Sequence, residues 1–153
     1  MLAAGDRVPE FSLLDQDALP VTGDALLAAG PLVLYFYPKD ETPGCTREAC
    51  AFRDAYTDFA DAGASVVGVS ADDPVSHKRF AERHRLPFRL LSDPTGALAK
   101  SFGVKKTLGI LPGRVTFVID RSGIVRYAFS SQIAPERHVS EALRVLKDIS
   151  AIH

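Results

Sequence analysis

Cysteine is scarce in this sequence: the 153 residues include only two, Cys45 and Cys50. The first residues show no basic region followed by an apolar core, so no secretory signal peptide is visible. We therefore expect a cytoplasmic protein, and disulfides rarely serve as permanent cross-links in the cytosol. Two cysteines in that setting indicate catalysis or redox sensing.

Long apolar runs and an excess of charge are also missing. No apolar run approaches the roughly 20 residues needed to cross a bilayer, so no membrane attachment is expected. The net charge of −1 gives no electrostatic reason to expect nucleic acid as a partner. The histidines show no metal-ligand spacing with the cysteines, so we expect no metal and no other cofactor. The composition fits one globular domain over residues 1–153, and we expect a monomer.

Apolar runs and helical periodicities predict an α/β fold with a central mixed β-sheet flanked by helices. The expected strands are Phe11–Leu14, Leu32–Tyr37, Ser65–Ser70, Phe88–Leu91, Val115–Ile119 and Ile124–Phe129. The expected helices are Ala25–Ala29, capped by Asp24, Pro43–Ala62, Asp73-Pro74 to His84, Asp93-Pro94 to Phe102, and Pro135–Ile149. An irregular loop is expected at Val104–Gly113.

Both cysteines lie on the helix that follows the second predicted strand. Thr42 is a good N-cap residue, and Pro43 suits the first helical position because its missing N–H would be unpaired there anyway. Cys45 then falls in the first turn, where free N–H groups and the helix dipole favour an anion. A thiol at that position should ionise more easily than an ordinary cysteine.

The spacing of the two cysteines argues against a permanent disulfide. If both are helical, the Cα atoms of Cys45 and Cys50 lie roughly 8.6 Å apart, beyond the roughly 7 Å limit for a disulfide. Cys45 shares the buried face of the helix with Ala49 and Phe52, whereas Cys50 lies nearer the outward side. Bond formation therefore requires local unwinding, which a redox cycle would use.

At the start of this helix, Pro38, Thr42 and Cys45 match the Pro-x-x-x-Thr-x-x-Cys signature of the peroxiredoxins. The longer string from Phe36 to Cys50 resembles the bacterioferritin comigratory protein (peroxiredoxin Q) subfamily, and the resemblance extends over nearly the whole chain. It implies a thioredoxin-like fold and reduction of hydrogen peroxide or organic hydroperoxides. It also implies thioredoxin, or sometimes glutaredoxin, as the reductant.

The resemblance assigns the two sulfur atoms different roles. Cys45 would be the peroxidatic nucleophile, which attacks the peroxide and becomes a sulfenic acid. Cys50 would be the resolving cysteine, which attacks the sulfenic acid and forms an intramolecular disulfide. That disulfide closes a very small loop, so it should be strained and easily reduced.

The other motif residues would surround the nucleophile. The N–H groups of Gly44 and of the nucleophile itself would donate to the peroxide oxygens. The Thr42 hydroxyl would accept a hydrogen bond from the substrate and donate one to the thiolate. Arg114 would stabilise the thiolate, and Glu48 would hold Arg114 in a charge-assisted pair. Pro38 would form one wall of the pocket and limit water around the sulfur.

Other interpretations of these residues stay open at this point. The protein could be a thiol–disulfide oxidoreductase acting on protein disulfides, although it lacks the Cys-x-x-Cys pair of such enzymes. It could instead be a redox sensor whose disulfide changes a partner surface. Thr42 could be only a helix cap, Glu48 could only favour the helix start through the dipole, and Arg114 could be an ordinary surface ion-pair residue.

Overall fold

The computed structural model describes residues 1–104, 113–131 and 134–152, the last three as backbone only. Its strands are β1 (Ser12–Leu14), β2 (Pro20–Thr22), β3 (Leu32–Phe36), β4 (Ser65–Ser70), β5 (Arg89–Ser92), β6 (Val115–Ile119) and β7 (Val125–Ser130). Its helices are α1 (Gly23–Ala28), α2 (Pro43–Asp54), α3 (Tyr56–Asp61), α4 (Pro74–His84), α5 (Ala97–Ser101) and α6 (Pro135–Ile152). The predicted loop at Val104–Gly113 lies, except for its two end residues, outside the described residues.

The strands form one mixed sheet in the order β2-β1-β5-β4-β3-β6-β7, which confirms the predicted architecture. Strands β3, β4 and β5 run parallel, and β6 runs antiparallel to β3. All five residues of β3 are buried, as a nearly all-apolar strand covered on both faces requires. The carboxyl end of β3 leads into α2, and open α/β sheets usually place their sites at this edge.

Side chains of β3 alternate between two hydrophobic clusters, one on each face of the sheet. Val33 and Tyr35 pack in the cluster that also contains residues of α2, α3, α4 and α6. Leu34 and Phe36 pack in the other, with residues of α1 and α5. The cysteine helix is therefore held against the sheet by a packed core on its own side.

The prediction of one long helix from Pro43 to Ala62 is wrong, because the helix breaks at Ala55. Ala55 has φ −95° and ψ 7°, outside the helical region. A straight helix of 20 residues would extend about 30 Å, whereas β3 spans only about 17 Å. The turn at Ala55 keeps α3 over the sheet, where Phe59 is fully buried.

Other elements also depart from the sequence-based prediction. Strand β2 was missed because it has only three residues and begins with proline, which suits an edge strand. The cap of α1 is Thr22 rather than Asp24, since the Thr22 side chain accepts a hydrogen bond from the N–H of Ala25. Among the described residues, no helix is both long and apolar enough to cross a membrane.

Helix α4 buries a histidine and exposes a valine. Val75 is 63% exposed, and the helix instead buries His77, Phe80 and Ala81. These three positions share one side of a helix that begins at Pro74, and Val75 lies on another side. A histidine therefore occupies a core position that the periodicity would assign to an apolar side chain.

Candidate active site

The first turn of α2 presents unpaired backbone N–H groups beside Cys45. Pro43 occupies the first helical position, and Thr42 has the extended backbone of an N-cap residue. The N–H of Thr46 donates to the carbonyl of Thr42 at 2.8 Å, so those of Gly44 and Cys45 precede the helical ladder. Donors at such a position favour an anion on the Cys45 sulfur.

Arg114 brings a guanidinium to the same sulfur from the neighbouring strand. The register of β3 and β6 pairs Phe36 with Val115, so the residue before Val115 lies at the end of β3. Arg114 is buried, and its Nη2 donates to the Cys45 Sγ at 3.4 Å. A fixed cation at this distance from a buried thiol stabilises the thiolate.

Gly44 leaves the space that this approach needs. A Cβ atom on Gly44 would lie 3.0 Å from the Arg114 Nη2, tighter than an ordinary van der Waals contact. The sequence predicts a role for the N–H group of Gly44 as a donor to the peroxide. The structure adds that its missing side chain lets the guanidinium approach the start of α2.

Glu48 holds the other side of the guanidinium. It lies one turn after Cys45 and is fully buried, and its Oε1 accepts from the Arg114 Nη1 at 2.7 Å. The predicted contact between these two side chains is therefore present. Burial raises the pKa of Glu48 to about 8, against the opposing effect of Arg114. Within the described chain, the second oxygen of Glu48, Oε2, has no hydrogen-bond partner.

A fully buried histidine on α6 lies next to that unpaired oxygen. The Nδ1 of His138 is 3.5 Å from the Glu48 Oε2 and 2.7 Å from the Thr116 hydroxyl. Its Nε2 is 2.8 Å from the carbonyl oxygen of Ser131. Burial is the main cause that lowers the pKa of His138 to about 4, so the ring is neutral near pH 7.

The structure corrects one contact predicted for Thr42. The Thr42 hydroxyl was predicted to donate to the thiolate, but it donates to the carbonyl of Lys39 at 2.8 Å. The Thr42 side chain also makes no capping hydrogen bond to α2. The hydroxyl proton is therefore directed away from the thiolate, and the hydroxyl lone pairs remain available to accept from a substrate O–H. Pro38 lies half-buried in the same segment, and its role as a pocket wall stays a prediction.

Cys50 lies on the same helix as the proposed nucleophile, and the two thiols differ in environment. Cys45 is 1% exposed and Cys50 is half-buried, and both are free thiols. Both residues are helical, as the spacing argument assumed. A bond between them therefore requires α2 to open, because the helix keeps the two sulfur atoms apart.

The segment between β3 and α2 is anchored by Asp40, which sequence reasoning missed. Its Oδ1 accepts from the Tyr37 hydroxyl at 2.5 Å, and its Oδ2 lies 2.9 Å from the Ser76 Oγ and 2.7 Å from the His77 Nδ1. The N–H of Asp40 donates to the Asp72 Oδ2 at 2.8 Å. The available signal was an acidic residue in the short segment between the buried strand β3 and the cysteine helix, four residues after β3 ends.

The atoms of Asp40, Asp72 and His77 that could ligate a metal lie within 4.8 Å of one another. Both nitrogens of His77 already have partners, the Asp40 carboxylate and the carbonyl oxygen of Leu91. A bound ion would have to displace at least one of these contacts. The expectation that the protein binds no metal stays a prediction.

A thiol beside a buried guanidinium, at a helix start that follows the central strand of a mixed sheet, defines a thiol-based redox enzyme. Residues 4–128 match the AhpC/TSA family. The chain therefore belongs to the AhpC/TSA family and is a peroxidase of the peroxiredoxin type.

Named relatives agree with this membership. The chain is 48% identical over 149 residues to the chloroplastic peroxiredoxin Q of Triticum aestivum, covering 97% of this chain and 68% of the relative. It superposes on the peroxidoxin BcpB of Mycobacterium tuberculosis with a TM-score of 0.92 and 44% identity, covering 97% and 99% of the two chains. The bacterioferritin comigratory protein of Xanthomonas campestris, described for alkyl peroxide reduction, matches with a TM-score of 0.85 and 32% identity, covering 95% and 99%.

These matches confirm both the thioredoxin-like fold and the resemblance to the peroxiredoxin Q subfamily. They do not support the expected cytoplasmic location, because the plant relatives are chloroplastic proteins.

Proposed function

We propose that this enzyme reduces hydrogen peroxide and organic hydroperoxides through Cys45, with Cys50 as the resolving cysteine and thioredoxin as the reductant. The observation that carries the proposal is the 3.4 Å contact between the Arg114 Nη2 and the Cys45 Sγ at the start of α2. The alkyl peroxide activity described for the Xanthomonas campestris relative supports organic substrates.

The first chemical step is attack of the Cys45 thiolate on one oxygen of the peroxide O–O bond. That oxygen stays on sulfur as a sulfenic acid, and the other leaves as an alkoxide or hydroxide. The N–H groups of Gly44 and Cys45 and the guanidinium of Arg114 are placed to stabilise the negative charge that develops. The Thr42 hydroxyl accepts from the peroxide O–H and orients it, while Pro38 limits water.

The second step forms the disulfide. The Cys50 sulfur attacks the sulfenic acid of Cys45, and water leaves. Because both residues are helical when reduced, α2 must open between them. Opening separates Glu48 from Arg114, so their hydrogen-bonded contact in the reduced site is lost in the disulfide form.

The third step is reduction of the disulfide. Thioredoxin, or glutaredoxin in its place, attacks one sulfur and restores both thiols. The bond between Cys45 and Cys50 spans a very small loop, which makes it strained and a good oxidant for such a partner. The enzyme acts as a single-domain monomer in this cycle.

The test is consumption of hydrogen peroxide and cumene hydroperoxide by the purified protein with thioredoxin, thioredoxin reductase and NADPH. We expect steady turnover, complete loss in Cys45→Ser, and a single turnover without recycling in Cys50→Ser. Insulin reduction without peroxide turnover would instead identify a thiol–disulfide oxidoreductase. Disulfide formation without turnover would identify a redox sensor.

A further inference from the structure

Arg114 contacts a second buried acid besides the thiol, and that acid has a hydrogen-bonding mismatch. The Nε2 of His138 faces the carbonyl oxygen of Ser131 at 2.8 Å, so this nitrogen carries the proton of the neutral ring. Its Nδ1 is then an acceptor, and the Thr116 hydroxyl donates to it at 2.7 Å. The Glu48 Oε2, 3.5 Å from the same Nδ1, receives no hydrogen bond among the described residues.

This arrangement leaves room for one more proton. A buried carboxylate oxygen that faces a nitrogen lone pair without a donor is destabilised by about 1–3 kcal/mol or more. A proton on the Glu48 Oε2 relieves the conflict, because Glu48 can then donate to the Nδ1, whose single lone pair it shares with the Thr116 hydroxyl. The site therefore favours a protonated Glu48.

The balance of charge around Arg114 points the same way. Cys45 and Glu48 are both buried acids that contact this one guanidinium. With both ionised, two buried anions would share one cation, which burial strongly disfavours. The arrangement that leaves no net buried charge has one anion and one protonated acid, so the two titrations are coupled.

Among the residues that the structure describes, the other titratable groups near Arg114 supply no further buried charge to balance Cys45 and Glu48. Tyr35 on β3 is fully buried, and burial raises the pKa of its phenol well above the usual value, so it is neutral. The charge of Asp40 also raises the pKa of Tyr35, and the Asp40 Oδ2 lies 2.7 Å from the His77 Nδ1. On α6, Glu136 is exposed and pairs with Arg47, and Arg137 lies over the Phe129 ring.

We propose that Glu48 and His138 together bind the proton that Cys45 releases when its thiolate forms. In this step the S–H bond of Cys45 breaks, an O–H bond forms on the Glu48 Oε2, and the total charge around Arg114 is unchanged. His138 is a positioning residue that accepts the new O–H at its Nδ1. The inference rests on Cys45 being the reactive thiol of the proposed function.

The same exchange reverses when the peroxide reacts. The thiolate takes an OH group from the peroxide and becomes an uncharged sulfenic acid, and the departing alkoxide needs a proton. Glu48, the protonated acid that contacts Arg114, releases its proton and returns to the carboxylate. One thiolate, one peroxide and one protonated Glu48 thus give one sulfenic acid, one alcohol and one Glu48 carboxylate, with atoms and charge conserved.

The pKa shifts of Glu48 and His138 support the Glu48 carboxyl, rather than the ring, as the group that carries the proton. The pKa of Glu48 is raised to about 8, and that of His138 is lowered to about 4. A shared proton therefore resides on the carboxyl and is hydrogen-bonded by the ring, rather than the reverse.

The test measures the pKa of the Cys45 thiol without any peroxide, so it is independent of whether the chain turns over peroxide. The background is Cys50→Ser, and the readouts are thiolate ultraviolet absorbance and the rate of iodoacetamide alkylation against pH. His138→Phe removes the acceptor, so Glu48 stays ionised and the thiol pKa rises by about one unit. His138→Asn, whose side-chain oxygen replaces Nδ1 as acceptor, restores most of the shift. Thr116→Val frees Nδ1 for Glu48, and the thiol pKa falls.

A second background separates coupling from structural damage. When Glu48→Gln is present, no proton can be exchanged, and His138→Phe no longer changes the thiol pKa. An equal shift with and without Glu48→Gln, or shifts of the same sign in His138→Phe and Thr116→Val, would overturn the proposal. Circular dichroism confirms folding before each titration.

Infrared spectroscopy decides the question even if His138→Phe does not fold. The Cys50→Ser protein shows the C=O stretch of a protonated buried carboxyl near neutral pH, and Glu48→Gln removes this band. Adding Cys45→Ser lowers the pH at which the band disappears, since no thiolate then opposes ionisation of Glu48. Absence of the band would contradict the proposal. The same holds if the pH at which the band disappears is unchanged in Cys45→Ser.

Discussion

At the scale of single residues, the distance between Arg114 and the sulfur depends on Gly44. A guanidinium can stabilise a developing charge only if it stays within hydrogen-bond range, and here the contact is 3.4 Å. The place that a Gly44 Cβ would take is 3.0 Å from the same Nη2 atom. A methyl group at this position would therefore push the cation away from Cys45.

We predict that Gly44→Ala lowers kcat/KM for hydrogen peroxide by about tenfold, since small displacements of a catalytic group have large effects. The thermal midpoint should not fall, because alanine is a better helix former than glycine by up to about 1 kcal/mol. Steady-state kinetics and calorimetry measure the two effects separately. Unchanged kinetics would show that Arg114 moves without consequence.

At the scale of elements, α4 anchors the segment that positions the cysteine helix. Both His77 nitrogens contact oxygen atoms, the Asp40 Oδ2 at 2.7 Å and the carbonyl oxygen of Leu91 at 3.0 Å, so the ring links the segment after β3 to α4 and β5. The pair with Asp40 is almost completely buried. Next to it, Glu41 has a left-handed backbone with φ 65°, which costs energy for a residue with a side chain and persists only because its neighbours are fixed.

We predict that His77→Leu lowers the free energy of unfolding by about 3–5 kcal/mol, because the buried Asp40 carboxyl and the carbonyl of Leu91 both lose their partner on the ring. The matched control is Ser76→Ala, which removes one hydrogen bond to the same Oδ2 and should cost about 1 kcal/mol. Urea unfolding measures both. Equal losses in the two variants would mean that the His77 ring contributes no more than a single hydroxyl contact.

The break at Ala55 divides the cysteine segment into two helices that can open separately. Helix α2 carries both cysteines, whereas α3 is fixed by the fully buried Phe59. We predict that disulfide formation increases hydrogen exchange of the α2 amides and leaves those of α3 and β3 protected. Exchange measured by mass spectrometry on reduced and oxidised protein tests this, with Cys50→Ser as the variant that should show no difference. Loss of protection in α3 as well would show that the break does not limit the opening.

The sequence was sufficient where the signal is local. The apolar runs of β3 and β4, the start of α2 at Pro43 and the motif around Cys45 all depend on neighbouring residues, and the structure contains them. The contacts of Arg114 with α2 bridge 66 positions for Glu48, and only the family resemblance indicated them. His138 was treated simply as a histidine without metal-ligand spacing. Its place on the buried face of α6, four residues before Ala142, was the available signal.

At the scale of the whole molecule, two buried groups make the stability depend on pH in opposite directions. The pKa of His138 is lowered to about 4 in the folded protein, so its contribution is lost as the pH falls from about 6.5 towards 4. The pKa of Glu48 is raised to about 8, so its contribution is present below about 4.5 and is lost as the pH rises towards 8. Above pH 6.5 only the Glu48 effect remains of these two.

We predict that the free energy of unfolding of the reduced protein falls between pH 6.5 and 8, with a slope of at most about 1.4 kcal/mol per pH unit. Glu48→Gln cannot ionise, so this fall should disappear in that variant. Urea unfolding at several pH values provides the measurement. A parallel decline in both proteins would assign the effect to other groups.

The shortness of α2 has a kinetic consequence for survival at high peroxide. In the proposed cycle, the sulfenic acid waits for Cys50 as long as the 12-residue helix stays closed. During that interval a second peroxide molecule can oxidise it to sulfinic acid, which ends turnover. If α2 opens without α3, fewer contacts break on opening, and the waiting time is shorter than for one continuous helix. The point at which α2 ends therefore sets how long the Cys45 sulfenic acid persists. It also sets the dose of oxidant that the enzyme tolerates.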